Sequence, residues 1–537
     1  MTPILLSMLA CLPTAHEGSA PAIDGMDVRL TILHTSDIHS RLTPYNFEPS
    51  FTDQSLGLAS DAGPFGGIAR IGHILKREKA NSGRVLHLDS GDSFQGAIIF
   101  NEFDGEAEIR MLSEIGLDAA VVANHEFDKG ARNLAKQYGG WGTYDLLAAN
   151  YNFEQWDLPW ATELEKMVLP SRIYDLDGLR VGVIGLGNFS SLNSIYDESN
   201  SMGVQPIEPG DVLPAEASKL RSQGADLIVV VSHMGLDDDQ EQALLFADVD
   251  IFMGGHHHVA INPPLVITNE ETGKRIPVVH SGAFAKFVGR LDVVVRDGKV
   301  LSHSYKLFPV DRFVPEDAAI LDIMEEYSDA LDAKYNTEQV IAYAEEKLTR
   351  YGSTGGDSML GNFAAEAMRF YPGVETEIAL TNTLGIRSDI PPGDITIDVL
   401  FNSMPFDNTI TTMFLSGREV QELLDYVSFR STERGCSSQA QIAGIQFDMV
   451  CDPFLPRAEN IMINGIALDL EGTYELATNN YIANGGSGFQ VLERNTTQTD
   501  TGISIRDVVK AAFIKAGSLP NYEEGICVED GRINTIY

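Results

Sequence analysis

Short apolar runs alternate with longer amphipathic stretches from residue 28 to about residue 310. The runs are rich in Val, Ile and Leu, as buried strands are, and the stretches between them place apolar residues at helical spacing. This pattern predicts strands at 28–34, 85–88, 119–123, 181–186, 227–231 and 251–253, and covering helices at 68–79, 107–115 and 213–223. Strands that alternate with helices indicate an α/β fold.

A hairpin and an amphipathic helix follow this alternation. Residues 288–295 and 300–307 predict two strands joined by a four-residue turn, which close the first domain. Residues 315–334 carry apolar side chains on one helical face, which predicts a helix between two domains. We therefore expect a leader at 1–26, a first domain at 27–312, a connecting helix at 313–337 and a second domain at 338–537.

The charge of the chain is strongly negative. Its 537 residues include 38 Lys or Arg and 77 Asp or Glu, so the formal net charge is -39 at pH 7. A field of this sign repels polyanions, which argues against a nucleic-acid duplex or an anionic membrane surface as the main partner. An anionic small substrate is compatible with this charge if cations are concentrated at its site.

The N-terminal residues and the cysteines favour export. Residues 4–12 form an apolar run too short to span a bilayer, and residues 8–11 loosely resemble a bacterial lipoprotein cleavage box. We expect a periplasmic, outer-surface or extracellular protein without a transmembrane segment, and a lipid anchor at Cys11 is an open alternative. Export also permits one disulfide among the three remaining cysteines, Cys436, Cys451 and Cys527.

Polar side chains follow five of the predicted strands directly. In open α/β sheets, sites form outside the carboxyl ends of the strands, so we expect these side chains to converge on one crevice. They are Asp37 and His39 after the first strand, Asp92 after the second, Asn124 and His125 after the third, His233 after the fifth, and His256, His257 and His258 after the sixth.

Carboxylates, imidazoles and an amide in this set are ligands for Zn, Mn, Fe or Mg, and the absence of Cys argues against a structural zinc knot. Two ions about 3.5–4 Å apart need a bridging carboxylate, for which Asp92 after Gly91 is suited. Taken singly, an Asp-x-His pair is more often an exposed loop, His233 a buried structural histidine, and three consecutive histidines a surface loop. The combination in this order favours a metal centre.

The five blocks together resemble the signature of the calcineurin-like metallophosphoesterases. More narrowly, the segments 33–40 (LHTSDIHS) and 123–128 (ANHEFD) resemble both signatures of the secreted 5′-nucleotidase family. The resemblance covers nearly everything after residue 27. It implies an N-terminal two-sheet β-sandwich flanked by helices, a linker helix, and a C-terminal α+β domain that binds the substrate.

The resemblance also implies two divalent metal ions and the residues that hold them. One ion would be bound by Asp37, His39, Asp92 and His258, and the other by Asp92, Asn124, His233 and His256. Many nucleotidases of this family carry an amide residue where His258 stands. The family's catalytic pair matches His125 and Asp128, and His257 would point away from the metals.

In the second domain, the resemblance implies a set of substrate contacts. An Asn-x-x-Gly-Ile-Arg loop matches at Asn382, Gly385 and Arg387, and the two aromatics that sandwich the base match at Phe406 and Tyr481. Two positions depart from the family pattern. The Arg that often precedes Leu360 is missing from residues 355–359, and Ser487 replaces an Asp that contacts the ribose.

The resemblance implies a 5′-nucleotidase that converts a nucleoside 5′-monophosphate and water to a nucleoside and phosphate. Three other substrates are compatible with the same metal centre: a 2′,3′-cyclic nucleotide, a nucleotide sugar and a non-nucleotide phosphoester. A nucleotide-binding protein without turnover is a further alternative. It would not need a bridging carboxylate or His125.

Overall fold

The computed structural model describes residues 23–153, 159–189 and 204–537. The strands of its first domain form a seven-stranded and a six-stranded sheet, with β5 and β9 as a separate pair. They are β1 (Val28–Thr35), β2 (Val85–Asp89), β3 (Ala119–Val121), β4 (Asp145–Leu147), β5 (Tyr151–Asn152), β6 (Val168–Leu169), β7 (Ser171–Leu176), β8 (Leu179–Leu186), β9 (Gln205–Pro206), β10 (Leu227–Ser232), β11 (Ile251–Gly254), β12 (Leu265–Thr268), β13 (Arg275–His280), β14 (Phe287–Arg296) and β15 (Lys299–Pro309).

The two sheets pack face to face. The order in the first is β15-β14-β1-β2-β3-β4-β6, and in the second β12-β13-β11-β10-β8-β7. Strands β1, β2 and β3 run parallel to one another, as do β8, β10 and β11, so their carboxyl ends meet at one edge of the sandwich. Alternate side chains of these strands, such as Leu30, Ile32, Val229 and Val231, form the dry layer between the sheets.

Helices cover the outer faces of both sheets, where the remaining strand residues are apolar as well. Leu33 packs against α2 and α4, whereas Ile228 and Val230 pack against α7 and α8. The helices of this domain are α1 (Phe51–Ser55), α2 (Ile68–Ala80), α3 (Ile98–Phe103), α4 (Glu106–Glu114), α5 (Gly130–Trp141), α6 (Pro159–Met167), α7 (Pro209–Ser222) and α8 (Leu236–Leu245). This architecture confirms the predicted α/β sandwich.

The sequence pattern misplaced several boundaries in this domain, and two of the shifts have a clear local cause. The third strand ends at Val121, two residues before its predicted end, because the backbone N–H of Ala123 donates to Glu126 Oε2 (3.0 Å) instead of to a neighbouring strand. Helix α7 begins at Pro209, four residues before its predicted start, since proline is well suited to the first turn of a helix.

The connecting helix α9 (Ala318–Tyr335) is packed against the first domain. It begins later than predicted because Asp317, not Pro315, caps it by accepting a hydrogen bond from the backbone N–H of Ala319. Its apolar face is buried against α2, α3 and α4. The buried side chains are Ile320, Met324, Tyr327 and Leu331.

The second domain is built on a five-stranded sheet in the order β20-β17-β24-β19-β25, with smaller sheets β18-β16-β26 and β23-β22-β21-β27 beside it. Its strands are β16 (Val340–Ala344), β17 (Ile378–Asn382), β18 (Gly393–Thr396), β19 (Thr409–Ser416), β20 (Ala440–Ala443), β21 (Ile445–Val450), β22 (Arg457–Ile463), β23 (Ile466–Ala467), β24 (Thr473–Asn479), β25 (Thr499–Ser504), β26 (Ser518–Leu519) and β27 (Ile533–Ile536). Its helices are α10 (Met359–Arg369), α11 (Ile397–Ser403), α12 (Gly417–Thr432), α13 (Asn480–Ala483), α14 (Gln490–Glu493) and α15 (Ile505–Ala516).

A disulfide joins Cys436 to Cys451 in this domain, and Cys527 is a buried free thiol. Among the helices described, none has the length and apolar character needed to cross a bilayer. The predicted leader falls mostly in residues 1–22, and the predicted anchor at Cys11 falls wholly there, outside the described residues.

Candidate metal centre

The edge where the parallel strands end brings the predicted metal ligands together. In one sheet, Asp37 and His39 follow β1, Asp92 follows β2 and Asn124 follows β3. In the other sheet, His233 follows β10, and His256 and His258 follow β11. The crevice therefore lies between the two sheets. Its ligand atoms form overlapping groups in which every atom lies within 4.8 Å of the others.

Five of these residues adopt a left-handed backbone that non-glycine residues rarely take. The φ angles are 49° at Asp37, 50° at His39, 55° at Asp92, 75° at His256 and 58° at His258. Each such residue costs free energy and persists only where its surroundings impose it, typically at functional sites. The fold therefore imposes these backbone conformations, and with them the directions in which the five side chains leave the backbone.

One group of ligand atoms comes from Asp37, His39 and His258. The Nε2 atoms of the two histidines are 2.9 Å apart, and His258 Nε2 is 3.5 Å from Asp37 Oδ1. Burial holds the pKa of both histidines well below the usual value, so both rings are neutral and offer a lone pair. Burial also raises the pKa of Asp37, to about 6.

A second group comes from Asp92, His233 and His256. Asp92 Oδ2 lies 2.9 Å from His233 Nε2 and 3.9 Å from His39 Nε2, so this carboxylate stands between the two groups. Burial by itself would raise the pKa of Asp92, but His233 and other histidines outweigh it and hold that pKa well below its usual range. Burial lowers the pKa of His256 to about 3.

Hydrogen bonds behind the ligands fix which ring nitrogen faces the crevice. His39 Nδ1 donates to the backbone oxygen of Gln95 (2.8 Å), and His233 Nδ1 donates to that of Ser90 (2.5 Å). Both rings therefore present Nε2 to the crevice, which is the usual arrangement of metal-binding histidines.

The donor set fits two divalent ions. Asn124 Oδ1 is buried and, among the described residues, has no hydrogen-bond partner, which is costly unless a cation meets it. The pKa of His233 also supports a bound cation. Burial would lower it, yet Asp92 and Asp37 outweigh burial and raise it to about 10. The crevice thus holds excess negative charge that a bound cation would balance.

His125 and Asp128 form a hydrogen-bonded pair at the rim. His125 Nδ1 is 2.8 Å from Asp128 Oδ2, and its ring centroid is 5.2 Å from that of His39. Burial would lower the pKa of His125, but Asp128 and then Asp92 outweigh it, so that pKa is raised. A ring atom of His125 also lies within reach of His39 and Asp92, so this histidine borders the metal groups.

His257 lies outside all three groups. It is exposed, and its Nδ1 accepts a hydrogen bond from the backbone N–H of Leu236 at the start of α8 (3.1 Å). His257 is thus occupied by a structural contact.

Glu126 is a residue whose role the sequence did not reveal, although it lies inside a recognised block. Its buried carboxylate accepts hydrogen bonds from the backbone N–H groups of Asp92 (3.1 Å), Ser93 (2.8 Å) and Ala123 (3.0 Å). It therefore ties the loop after β2 to the loop after β3. Its only signal in the sequence is its position directly after Asn124 and His125.

Replacing Glu126 by Gln should destabilise the protein, because one oxygen acceptor becomes a donor that faces backbone N–H groups. We expect the free energy of unfolding to fall by about 1–3 kcal/mol. Denaturant unfolding of the metal-free protein would measure it. Glu114→Gln is the matched control, since Glu114 is exposed and its loss should change little. Equal unfolding free energies for the two variants would show that Glu126 does not hold the loops.

Residues of the second domain reach this centre. Arg387 Nη2 lies 3.4 Å from His39 Nε2, and the Phe406 ring centroid lies 6.4 Å from that of His125. Other contacts join the domains nearby, such as Arg41 Nη2 donating to the backbone oxygen of Asn402 (3.0 Å). The predicted substrate contacts Arg387 and Phe406 therefore lie next to His39 and His125 of the candidate centre.

The other predicted substrate contacts lie around these two. Asn382 Oδ1 accepts a hydrogen bond from Asn479 Nδ2 (2.8 Å) and lies beside Gly385, where a Cβ atom would come within 3.1 Å of it. Tyr481 belongs to α13, the helix that Asn479 caps, and its hydroxyl is 3.1 Å from Ser487 Oγ. The hydroxyl groups of Tyr481 and Ser487 are thus within hydrogen-bond distance of each other.

Arg350 is a second residue that sequence reasoning missed. Its Nη1 donates to the backbone oxygen of Arg387 (2.7 Å) and to that of Ile386 (3.2 Å), so it holds the loop that presents Arg387. The glycine-rich segment after Arg350 cannot carry the missing arginine at residue 355. A Cβ on Gly355 would come within 2.4 Å of the Cys436 carbonyl oxygen, and its φ is 84°.

Comparison with known proteins agrees with this geometry. The calcineurin-like phosphoesterase family matches residues 30–260, and the 5′-nucleotidase C-terminal domain matches residues 339–494. The 5′-nucleotidase of Diplobatis ommata is 27% identical over 535 residues, covering 91% of this chain and 87% of that protein. The trifunctional nucleotide phosphoesterase protein YfkN of Bacillus subtilis is 25% identical over 531 residues, covering 91% of this chain and 34% of that longer protein.

Among solved structures, the 5′-nucleotidase precursor from Thermus thermophilus is similar over 95% of this chain and 99% of that chain, with a TM-score of 0.83 and 27% identity. The two matched domains and the strand-end ligand groups point to the same chemistry. The chain is a member of the calcineurin-like metallophosphoesterases that carry a 5′-nucleotidase C-terminal domain, and it is a metal-dependent phosphoester hydrolase.

Proposed function

We propose that this protein is a 5′-nucleotidase, which hydrolyses nucleoside 5′-monophosphates to a nucleoside and phosphate. The observation that carries the proposal is the position of Arg387, 3.4 Å from His39 at the edge of the metal ligands. An arginine from the second domain at this point could bind a phosphoryl group that reacts at the crevice. The rest of the substrate would then lie against the second domain.

The assignment of the metal ligands follows the two groups of atoms. We assign Asp37, His39 and His258 to one ion, Asn124, His233 and His256 to the other, and Asp92 to both. When bound, two such ions would supply the Lewis-acid charge that activates water and neutralises charge developing on the phosphoryl group. Zn, Mn, Mg and Fe are all compatible with this set of ligands.

His125 is assigned to proton transfer and Asp128 to its orientation. Asp128 accepts the Nδ1–H, which leaves Nε2 to carry a proton, and the raised pKa of His125 favours the protonated ring. In the hydrolysis, the oxygen of water bonds to phosphorus and the bond from phosphorus to the 5′ oxygen breaks. His125 would donate a proton to that departing oxygen.

The second domain is assigned to recognition of the nucleoside. The Phe406 ring centroid lies 5.9 Å from the Arg387 guanidinium carbon, so one nucleotide could place its phosphate at Arg387 and stack its base on Phe406. Tyr481 is assigned to the other face of the base, with Asn382 and Ser487 as polar contacts. Stacking suits this task, because every base has a π-face and base identity can vary.

Phe406→Ala and Tyr481→Ala should each raise KM for nucleoside monophosphates, because each change removes one stacking surface. Loss of about 1–3 kcal/mol corresponds to roughly 5- to 150-fold in KM, while hydrolysis of a small aryl phosphate should be nearly unchanged. Steady-state kinetics with both substrates measures the difference. Tyr481→Phe keeps the ring and should remain close to the unmodified protein.

Phe414→Ala is the matched control for these variants, since Phe414 is an exposed aromatic of the same domain. If nucleotide KM does not respond to either aromatic deletion, the second domain does not bind bases, and a non-nucleotide phosphoester becomes the better substrate class.

A substrate panel separates the proposed activity from its alternatives. Phosphate release should be most efficient, by kcat/KM, with nucleoside 5′-monophosphates. A higher kcat/KM for 2′,3′-cyclic nucleotides, nucleotide sugars or aryl phosphates would show that the preferred substrate belongs to that class instead. Tight nucleotide binding without turnover by the metal-loaded protein would instead support a binding protein.

The proposed location is outside the cytoplasm. The Cys436–Cys451 disulfide supports this, because such bonds persist mainly in oxidising compartments. Periplasmic, outer-surface and extracellular locations are all compatible with it, and a lipid anchor at Cys11 is one way to hold the protein there.

A further inference from the structure

Two arginines at the end of α12 have no ionic partner in the part of the chain that the structure describes. Arg430 lies in the last turn of α12, and Arg434 follows the helix by two residues. Other arginines in this region are paired: Arg418 with Glu471 and Arg494 with Glu422. The chain has a net charge of -39, so acidic partners are abundant. Two neighbouring arginines without an ion pair are therefore unexpected.

These arginines lie at the proposed nucleoside-binding edge. Tyr426 precedes Arg430 by four residues, so the two side chains share one face of α12, with Cβ atoms about 5–6 Å apart. Tyr426 donates its hydroxyl proton to the backbone oxygen of Ser487 (2.7 Å), and Ser487 Oγ is 3.1 Å from the Tyr481 hydroxyl. Arg430 is therefore one helical turn from the loop that carries Ser487.

The segment that follows Arg434 is packed against Gly355. The backbone N–H of Ser438 donates to the oxygen of Gly355 (2.7 Å), and the disulfide from Cys436 to Cys451 fixes the segment between them. The close approach at Gly355 leaves no room for a side chain there. Arg434 precedes Cys436 by two residues, and the Cys436 carbonyl oxygen is the atom that a Cβ on Gly355 would meet.

The charges around Arg434 do not neutralise it. Desolvation is the main cause that lowers the pKa of Arg434, and the charge of Arg430 lowers it further, whereas Tyr351, Glu433 and Tyr481 act in the opposite direction. Glu433 is the nearby acid, yet it forms no ion pair with either arginine among the described residues. Both guanidinium groups therefore retain their donors for an anion.

Tyr351 connects this pair of arginines with the metal side of the cleft. Its phenol acts to raise the pKa of both Arg387 and Arg434, so it is near both arginines. Arg350 stacks on it, with 4.5 Å between the guanidinium carbon and the ring centroid. A bound nucleotide with its 5′-phosphate at Arg387 would extend toward Tyr481, Ser487 and the two unpaired arginines.

We propose that Arg430 and Arg434 form a second anion subsite, which binds a phosphate on the ribose of the nucleotide. The preferred substrates would then be nucleoside 3′,5′- or 2′,5′-bisphosphates, and this refinement rests on the proposed function. Ser487 is compatible with it, because a neutral hydroxyl can donate to the second phosphate whereas a carboxylate at this position would repel it. The reaction would consume one water, release the 5′-phosphate and leave the ribose phosphate on the nucleoside.

Kinetics with adenosine 3′,5′-bisphosphate and adenosine 5′-monophosphate tests the subsite. The unmodified protein should show a KM about tenfold or more lower for the bisphosphate, as two charge-assisted contacts would give. Arg434→Gln and Arg430→Gln should raise KM for the bisphosphate at least tenfold more than KM for the monophosphate. Arg418→Gln is the control, since Arg418 lies in the same helix and pairs with Glu471, and it should leave the ratio unchanged.

The subsite would be overturned if neither substitution changes the KM ratio of the two substrates, whether both KM values stay the same or both rise equally. Binding of adenosine 3′-monophosphate, which has no 5′-phosphate to hydrolyse, gives a second readout by calorimetry. The unmodified protein should bind it more tightly than adenosine, and Arg434→Gln should abolish that difference. If no nucleotide is hydrolysed, the proposed function fails, while this binding comparison still decides whether the subsite exists.

Discussion

Replacing Asp92 by Asn should remove both metal binding and turnover. Asp92 Oδ2 lies 2.9 Å from His233 Nε2 and 3.9 Å from His39 Nε2, so the change removes negative charge from between the two groups of ligands. Loss of a residue behind a metal ligand costs roughly 10- to 100-fold in affinity or activity, and loss of a shared ligand should cost at least about 100-fold. Elemental analysis and steady-state kinetics on one preparation measure both effects.

Asp250→Asn is the matched control for this variant. Asp250 is a buried carboxylate of the same domain that pairs with Arg221 and Lys274, away from the metal ligands. Its loss should lower stability while metal content per folded chain is retained. Two metals per chain with near-normal kcat in Asp92→Asn would end the assignment of Asp92 as a shared ligand.

Replacing His125 by Ala should lower kcat while both metals are retained. His125 is proposed to donate a proton or hydrogen bond to charge that develops in the reaction, and removing a donor of this kind costs about 10²–10³ in kcat. Its backbone N–H still donates to Asp92 Oδ1 (2.8 Å) in the alanine variant, so the metal ligands should stay in place.

The neighbouring histidine provides the control. His257→Ala should leave kcat unchanged, because His257 is exposed and lies outside the ligand groups. Asp128→Asn should also lower kcat. The kcat of the double variant should fall by less than the product of the two single-variant factors, since the residues act as a unit. If His125→Ala changes only KM, His125 binds substrate and does not take part in proton transfer.

Much of the fold and the grouping of the candidate ligands could be predicted, because both depend on local patterns. Buried parallel strands such as β1 and β10 are continuous apolar runs, and the chain places polar residues directly after them. Since the carboxyl ends of parallel strands meet at one edge, Asp37 and His233 could be expected to lie near each other despite nearly 200 intervening residues.

Residues that act through tertiary contacts could not be predicted in this way. Glu126 serves three backbone N–H groups on two loops, and Arg350 serves the carbonyl of Arg387, so their roles depend on distances that the sequence pattern does not encode. Arg430 and Arg434 read as ordinary surface charges of a helix end. Only the absence of ionic partners around them, among the residues that the structure describes, sets them apart.

Titration of metal into the chelator-stripped protein, with phosphate release from adenosine 5′-monophosphate as the readout, tests the dinuclear nucleotide hydrolase most directly. The stripped protein should be inactive, and activity should rise with added Mn²⁺ to a plateau near two equivalents per chain. Full activity in the stripped protein, a plateau at one equivalent, or no phosphate release at any Mn²⁺ concentration would contradict it.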